Sequence, residues 1–243
     1  MTARARIGVL VPPGNPTVES ELYRMAPPGV TFHFARLQAP PSEGPPGGAA
    51  GMEDRTRAYL ESLDAPARAL GEVRPALVLL AHTASSYALG WGREQPLVER
   101  LAALCRAPAV LAAHAVRAAL HHLGVTRLAL GTPYPESISR QGKTYWEAAG
   151  LEIVGYHRLA GVRDIYAESE ERAAELARRA DAREAQAVLL SGTGLATVSV
   201  LEPLERELGK PVISSNQACC WRALRLAGVL DPVGGFGRLL REA

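Results

Sequence analysis

The sequence predicts an α/β fold of two similar halves, each a parallel sheet with helices on its faces. Three observations carry that reading. Short apolar runs alternate with helix-spaced stretches along the whole chain, the pattern of strand-helix-strand units. The run Val78-Leu79-Leu80 flows into the small, polar loop His82-Thr83-Ala84-Ser85-Ser86-Tyr87, and it returns 110 residues later as Val188-Leu189-Leu190 before Ser191-Gly192-Thr193-Gly194. Two further pairs match in the same order: Ile7 to Val11 before Pro12-Pro13 pairs with Leu128 to Thr132 before Pro133, and the Pro108 run pairs with the Pro211 run. A pseudo-twofold axis follows, with halves at 1–115 plus 226–243 and at 116–225. Equivalent strand ends would face each other across a cleft, where open α/β sheets place ligands.

Each element has a local reason. Arg6 to Val11 is an apolar strand; Asn15 then reads as an N-cap and Pro16 as the first helical residue. Val30 to Leu37 reads as a strand, and Gln38 to Gly51, rich in proline and glycine, as a surface lid. Glu53 to Leu70 has helical spacing, with Pro66 as a kink or break. After the Val78 strand come a helix from Gln95 to Leu104, a strand from Pro108 to Leu111 and a helix from Ala113 to Leu123 closed by Gly124. The loops at Gly14-Asn15, Thr83–Ser86, Tyr134–Ser137, Gly192–Gly194 and Ser214–Asn216 are each expected to open a helix onto the cleft, where backbone N–H groups suit a small anion.

Composition excludes several classes. A net charge of +2 with no basic run argues against nucleic acid, and no apolar stretch is long enough to span a bilayer. The strand beginning by Ile7 leaves no room for a secretory leader, and Cys105, Cys219 and Cys220 form no disulfide framework, so a cytoplasmic protein is expected. There is no phosphate-binding G-x-x-x-x-G-K-[ST] and no metal-ligand spacing, so neither cofactor nor metal is expected.

His82 is the strongest acid/base candidate, because an imidazole both takes and gives a proton near neutrality. Thr83, Ser85, Thr193 and Tyr134 could donate to a developing oxyanion or relay a proton. Each also has a plain structural reading, as a loop hydroxyl satisfying backbone. His114 is an outside candidate, and Cys219 and Cys220 read as helix packing.

These residues resemble the aspartate/glutamate racemase superfamily, in its branch of maleate cis-trans isomerases and arylmalonate decarboxylases. The resemblance rests on Gly8 to Glu19, the His82-Thr83 loop, Thr132-Pro133-Tyr134, Leu189 to Leu195, Gly209 to Gln217 and Gly235 to Leu239. It implies two Rossmann-like (flavodoxin-like) halves, cofactor-independent chemistry on a small carboxylic acid, and a homodimer or higher homo-oligomer. In that family a cysteine typically stands at the end of the central strand in each half, and arylmalonate decarboxylases keep only one as proton donor; the matching positions here are His82 and Gly192. That departure disfavours two-base racemisation and thiolate addition, and favours decarboxylation or a one-base isomerisation. On that chemistry His82, Tyr134 and Thr83 are expected in catalysis, and Asn15, Ser85, Gly192, Thr193, Gly194, Ser215 and Asn216 around the substrate. A carboxylate-binding protein without catalysis on the same fold is the alternative.

Overall fold

The computed structural model describes residues 4–39 and 44–242. In the first half β1 (Ala5–Val11), α1 (Thr17–Arg24), β2 (Val30–Arg36), α2 (Met52–Glu61), α3 (Asp64–Glu72), β3 (Leu77–Leu80), α4 (Thr83–Leu89), α5 (Gln95–Cys105) and β4 (Ala109–Leu111) lead into α6 (Ala112–His122). The second half holds β5 (Arg127–Thr132), α7 (Glu136–Ala148), β6 (Glu152–Arg158), a 3-10 turn at Ile165–Ala167, α8 (Glu170–Ala180), β7 (Ala187–Leu190), α9 (Leu201–Leu208), β8 (Val212–Ser214), α10 (Ser215–Leu226) and α11 (Arg238–Arg241).

The sheets have the same topology, β2-β1-β3-β4 and β6-β5-β7-β8, and every pairing is parallel. β3 and β7 are central strands buried along their whole length, which is why both are continuous apolar runs rather than alternating ones. α6 and α10 pack on one another across the halves, and one apolar core runs through both sheets. The duplication predicted from the Val78 and Val188 runs is thus the architecture. Arg4 pairs with Asp231 while the backbone N–H of Arg238 donates to Glu205, so the C-terminal segment touches both halves.

Four local expectations change. Pro16 precedes the helix rather than opening it; Asn15 Oδ1 still accepts from the N–H groups of Thr17 (2.9 Å) and Val18 (3.2 Å). The break in the 53–70 stretch falls at Ser62 and Leu63, ahead of Pro66. A proline ring clashes with the carbonyl four residues back, so the chain starts α3 afresh and places Pro66 in its first turn. The polar loop after β3 is the first turn of α4, which begins at Thr83 directly after His82. Gly192–Gly194 opens no helix: turns fill the chain to Val200, and the N–H groups of Thr197 and Val198 are held by the Glu21 carboxyl instead. Of the lid stretch at 38–51, residues 40–43 lie outside the described residues.

Candidate functional site

Between the two sets of strand ends lies a cavity of about 30 Å³. Asn15, Arg55, Tyr59 and His82 line it from the first half, and Tyr134, Tyr166, Thr193 and Gly194 from the second. Pro46, Gly47 and Met52 roof it. The topology explains the convergence, since β1, β3, β5 and β7 all end on this side.

His82 sits at the junction of β3 and α4 in an extended conformation (φ −147°), which turns its ring off the helix and into the cavity wall. Its Nδ1 and the Ser85 Oγ are 2.8 Å apart, one helical turn on. The Tyr59 ring stands edge-on to the imidazole at 5.3 Å. Ser85 therefore orients the imidazole rather than lining the cavity, and Nε2 is the ring nitrogen that Ser85 leaves free. Burial, with the Arg55 charge adding to it, pushes the His82 pKa down to about 4, so the imidazole is neutral at neutral pH.

Across the cavity, burial raises the Tyr134 phenol well above its ordinary range, which makes it a neutral donor. Gly192 lies behind it at φ +112°, where an added Cβ would come within 3.1 Å of the Tyr134 hydroxyl and 3.3 Å of Pro133. Glycine is thus favoured at this position by its backbone conformation, and any larger residue would need the Tyr134 hydroxyl to give by a few tenths of an ångström.

Several residues expected to meet the substrate join the halves instead. Thr193 Oγ1 donates to the Ala81 carbonyl (2.9 Å), Thr83 Oγ1 donates to Ser215 Oγ (3.2 Å), and Tyr87 Oη and Ser191 Oγ share a 2.7 Å bond. Ser215 Oγ also accepts from the Gly192 N–H. Asn216 Nδ2 donates to the Thr193 carbonyl (3.0 Å) and to Glu21 (2.6 Å). Thr83, Ser85, Gly192, Ser215 and Asn216 therefore form a layer behind the cavity, while Asn15, His82, Tyr134, Thr193 and Gly194 line it. Even Asn15 divides its work: its Oδ1 caps α1 and its Nδ2 reaches the Thr193 carbonyl at 3.3 Å.

Beneath the second-half loop lies Glu21, which no sequence signal marked. It is 2% exposed and accepts from the N–H groups of Thr197 (2.5 Å) and Val198 (2.9 Å) as well as from Asn216. Burial raises its pKa despite these bonds. Glu21→Ala strands those three donors in the interior, so chemical denaturation should report a loss of about 3 kcal/mol or more. A loss below about 1 kcal/mol would mean that the loop does not depend on this carboxyl.

The roof is closed. The Ile165 N–H donates to the Gly47 carbonyl (3.1 Å), joining the segment before α2 to the turn before α8. A Cβ on Gly14 would fall 2.3 Å from Pro46, and one on Gly194 would fall 2.6 Å from Tyr166, so glycine permits the tight fit on both sides. About 30 Å³ holds roughly two water molecules.

Sequence reasoning missed Arg55, Tyr59 and Tyr166. They come from a helix face and a loop that only tertiary packing brings over the strand ends. Arg55 is buried, and its guanidinium donates to the roof carbonyls of Ala50 (2.5 Å) and Gly48. His114 stands outside the cavity, paired with Glu94 at 3.3 Å. None of the cysteines lines the cavity: Cys105 donates to the Ala67 carbonyl, and burial raises the thiols of Cys219 and Cys220. Among the described residues no cluster of His, Cys, Asp or Glu could hold a metal, and no helix is long and apolar enough to cross a membrane.

Comparison with known proteins gives a consistent picture. The family model for arylmalonate decarboxylase matches residues 7–240. The chain is 31% identical over 252 residues to a maleate isomerase of Nocardia farcinica, covering 98% of this chain and 96% of that protein. It is also 31% identical over 191 residues to an arylmalonate decarboxylase of Bordetella bronchiseptica, covering 76% and 80% respectively. Among solved structures, a cysteine-to-serine mutant of Nocardia farcinica maleate cis-trans isomerase with a covalently bound succinylcysteine intermediate superposes with a TM-score of 0.87 at 26% identity. That match covers 98% of this chain and 99% of the other.

Proposed function

The chain belongs to the arylmalonate decarboxylase family, and we propose that it is a cofactor-independent enzyme that decarboxylates a small dicarboxylic acid with His82 as its single proton donor. The observation that carries this reading is the contrast across the cavity. His82 is the one described lining group whose proton comes and goes in the ordinary acid range, and the equivalent position after the central strand of the second half is Gly192, which has no side chain to titrate. Burial holds the phenols of Tyr59, Tyr134 and Tyr166 protonated. Chemistry that needs one acid/base survives this arrangement; chemistry that needs one on each face does not.

The steps balance with this chain's groups alone. One carboxylate is held by the Tyr134 hydroxyl and the Thr193-Gly194 backbone. The bond from the α-carbon to the other carboxylate breaks, carbon dioxide leaves, and the electron pair passes into the remaining carboxylate as an enediolate that the same donors stabilise. The His82 imidazolium gives its proton to the α-carbon and regains one from solvent, so one proton is consumed for each carbon dioxide released.

A neutral imidazole in the free protein is compatible with this role. A dianion entering beside it offsets the Arg55 charge and raises its proton affinity, so substrate binding itself loads the donor. One-base isomerisation of an unsaturated or α-substituted acid uses the same groups and is the runner-up.

Malonates, maleate and aspartate-like acids incubated with the protein in deuterated water test the reading. Carbon dioxide release with deuterium in the product is the expected result. Thermal stabilisation by an acid with neither release nor label uptake would identify a carboxylate-binding protein without catalysis. No stabilisation by any of them would overturn the carboxylate reading as well.

A further inference from the structure

Where α6 and α10 pack on one another, a groove of about 570 Å³ opens along their partly exposed faces, and it shares no lining residue with the cavity beside His82. Trp91 and Trp221 both line it, two of the three tryptophans in the chain. Trp91 is 38% exposed, yet its turn is firmly built. The buried Glu94 carboxylate accepts from the Gly92 N–H (3.0 Å) and from the Tyr145 hydroxyl (2.6 Å), and the Tyr145 ring stands edge-on to the indole at 5.6 Å. Trp221 is held by the His122 ring at 5.1 Å, and its indole N–H has no acceptor among the described residues. Arg117 and Arg222 supply the charge. Arg117 donates to the Ala149 carbonyl (3.2 Å), Arg222 makes no hydrogen bond, and among the described residues neither is paired with an acid and no acid lines the groove. Glu94, which pairs with the lining His114 at 3.3 Å, is committed to Tyr145 and Gly92.

We infer that this groove is a second binding site, for a small molecule that joins a planar aromatic ring to an anionic group. The ring lies against the tryptophans and the anion meets Arg117 and Arg222. An indole face offers a large, rigid area with little rotamer freedom to lose, and the edge-on support of Trp91 fixes that face before a ligand arrives. A guanidinium is always charged and presents a planar fork that matches a carboxylate or a phosphate in two parallel hydrogen bonds. A volume of this size holds a ring system and its substituents, since small-molecule sites run from about 300 to 1,000 Å³. Neither half of the ligand suffices. An uncharged ring leaves the arginines in water, and a bare anion leaves the indoles exposed.

Two probes carry the shared chemistry from different sources, adenosine monophosphate as a ring with a phosphate and 2-naphthoate as a ring with a carboxylate. Their binding is read by tryptophan emission and by calorimetry. At least one of them is expected to bind with a Kd below about 1 mM and to change the emission, and which one does so tells the anion apart. Adenosine, 2-naphthylmethanol, phosphate and acetate should bind at least tenfold more weakly than the probe whose part they represent. Arg222→Ala and Trp91→Ala alter groove residues outside the cavity, and each should weaken the probe by about tenfold or more in calorimetry; if one of them does not fold, the other decides. Binding by neither probe would overturn the inference, as would equal binding of the uncharged ring or an affinity unchanged in the variants. Emission that shifts with protein concentration alone, with neither probe bound, would assign the groove to a second copy of the chain and overturn it too.

Discussion

Exchange of His82 for asparagine is expected to lower turnover by roughly a hundred- to ten-thousand-fold while binding of a carboxylate stays measurable. The amide fills the same place on the strand end and keeps a hydrogen-bonding partner for Ser85, but it neither takes nor gives a proton. Steady-state rates beside thermal shifts separate the two effects, and an asparagine variant with full activity would remove His82 from the mechanism.

The same substitution has a stability signature of fixed sign. The folded-state pKa of about 4 lies below the ordinary value of 6.5, so between these limits the unfolded chain binds the proton more readily. The contribution of His82 is fully present above about pH 6.5 and is lost as pH falls towards about 4. It amounts to at most about 3 kcal/mol, because solvent reaches the half-buried ring. The slope of stability with pH over this window should flatten in His82→Asn, as denaturation at several pH values would reveal.

Gly192→Cys is the second large effect expected. It places a thiol at the position where the family resemblance puts the second cysteine, yet two-base exchange should not follow. A non-glycine residue at φ +112° costs about 1–3 kcal/mol, and its Cβ would stand 3.1 Å from the Tyr134 hydroxyl and 3.3 Å from Pro133. The variant should melt earlier and lose activity through a displaced Tyr134. Unaltered melting together with new racemisation of an α-substituted acid would mean that the loop relaxes freely and that Gly192 is not structurally required.

The legible part of the chain was the part governed by periodicity. β3 and β7 could be matched because buried parallel strands are continuous apolar runs, and their ends located the cleft. His82 stood out for the same reason, as an imidazole closing such a run. The polar loops could be found but their aim could not. Thr83, Thr193, Ser215 and Asn216 look alike as small hydrogen-bonding residues, and only the packing of one half on the other decides that Thr193 bonds the Ala81 carbonyl or that Asn216 serves Glu21. Glu21 reads as an ordinary exposed position on an amphipathic helix, and Arg55 likewise; both are buried, Glu21 against Thr197, Val198 and Asn216 far along the sequence. The break ahead of Pro66 was legible in kind and misplaced by one turn, because the clash of a proline acts on the residue four positions back.

A nitrogen-15 NMR titration of the His82 ring, with and without malonate, tests the central claim most directly. In the free protein the ring should stay neutral down to about pH 4. With malonate bound its pKa should rise by more than one unit, as a donor loaded by the substrate requires. A ring already protonated in the free protein near pH 6, or one whose titration malonate leaves unmoved, would contradict the account.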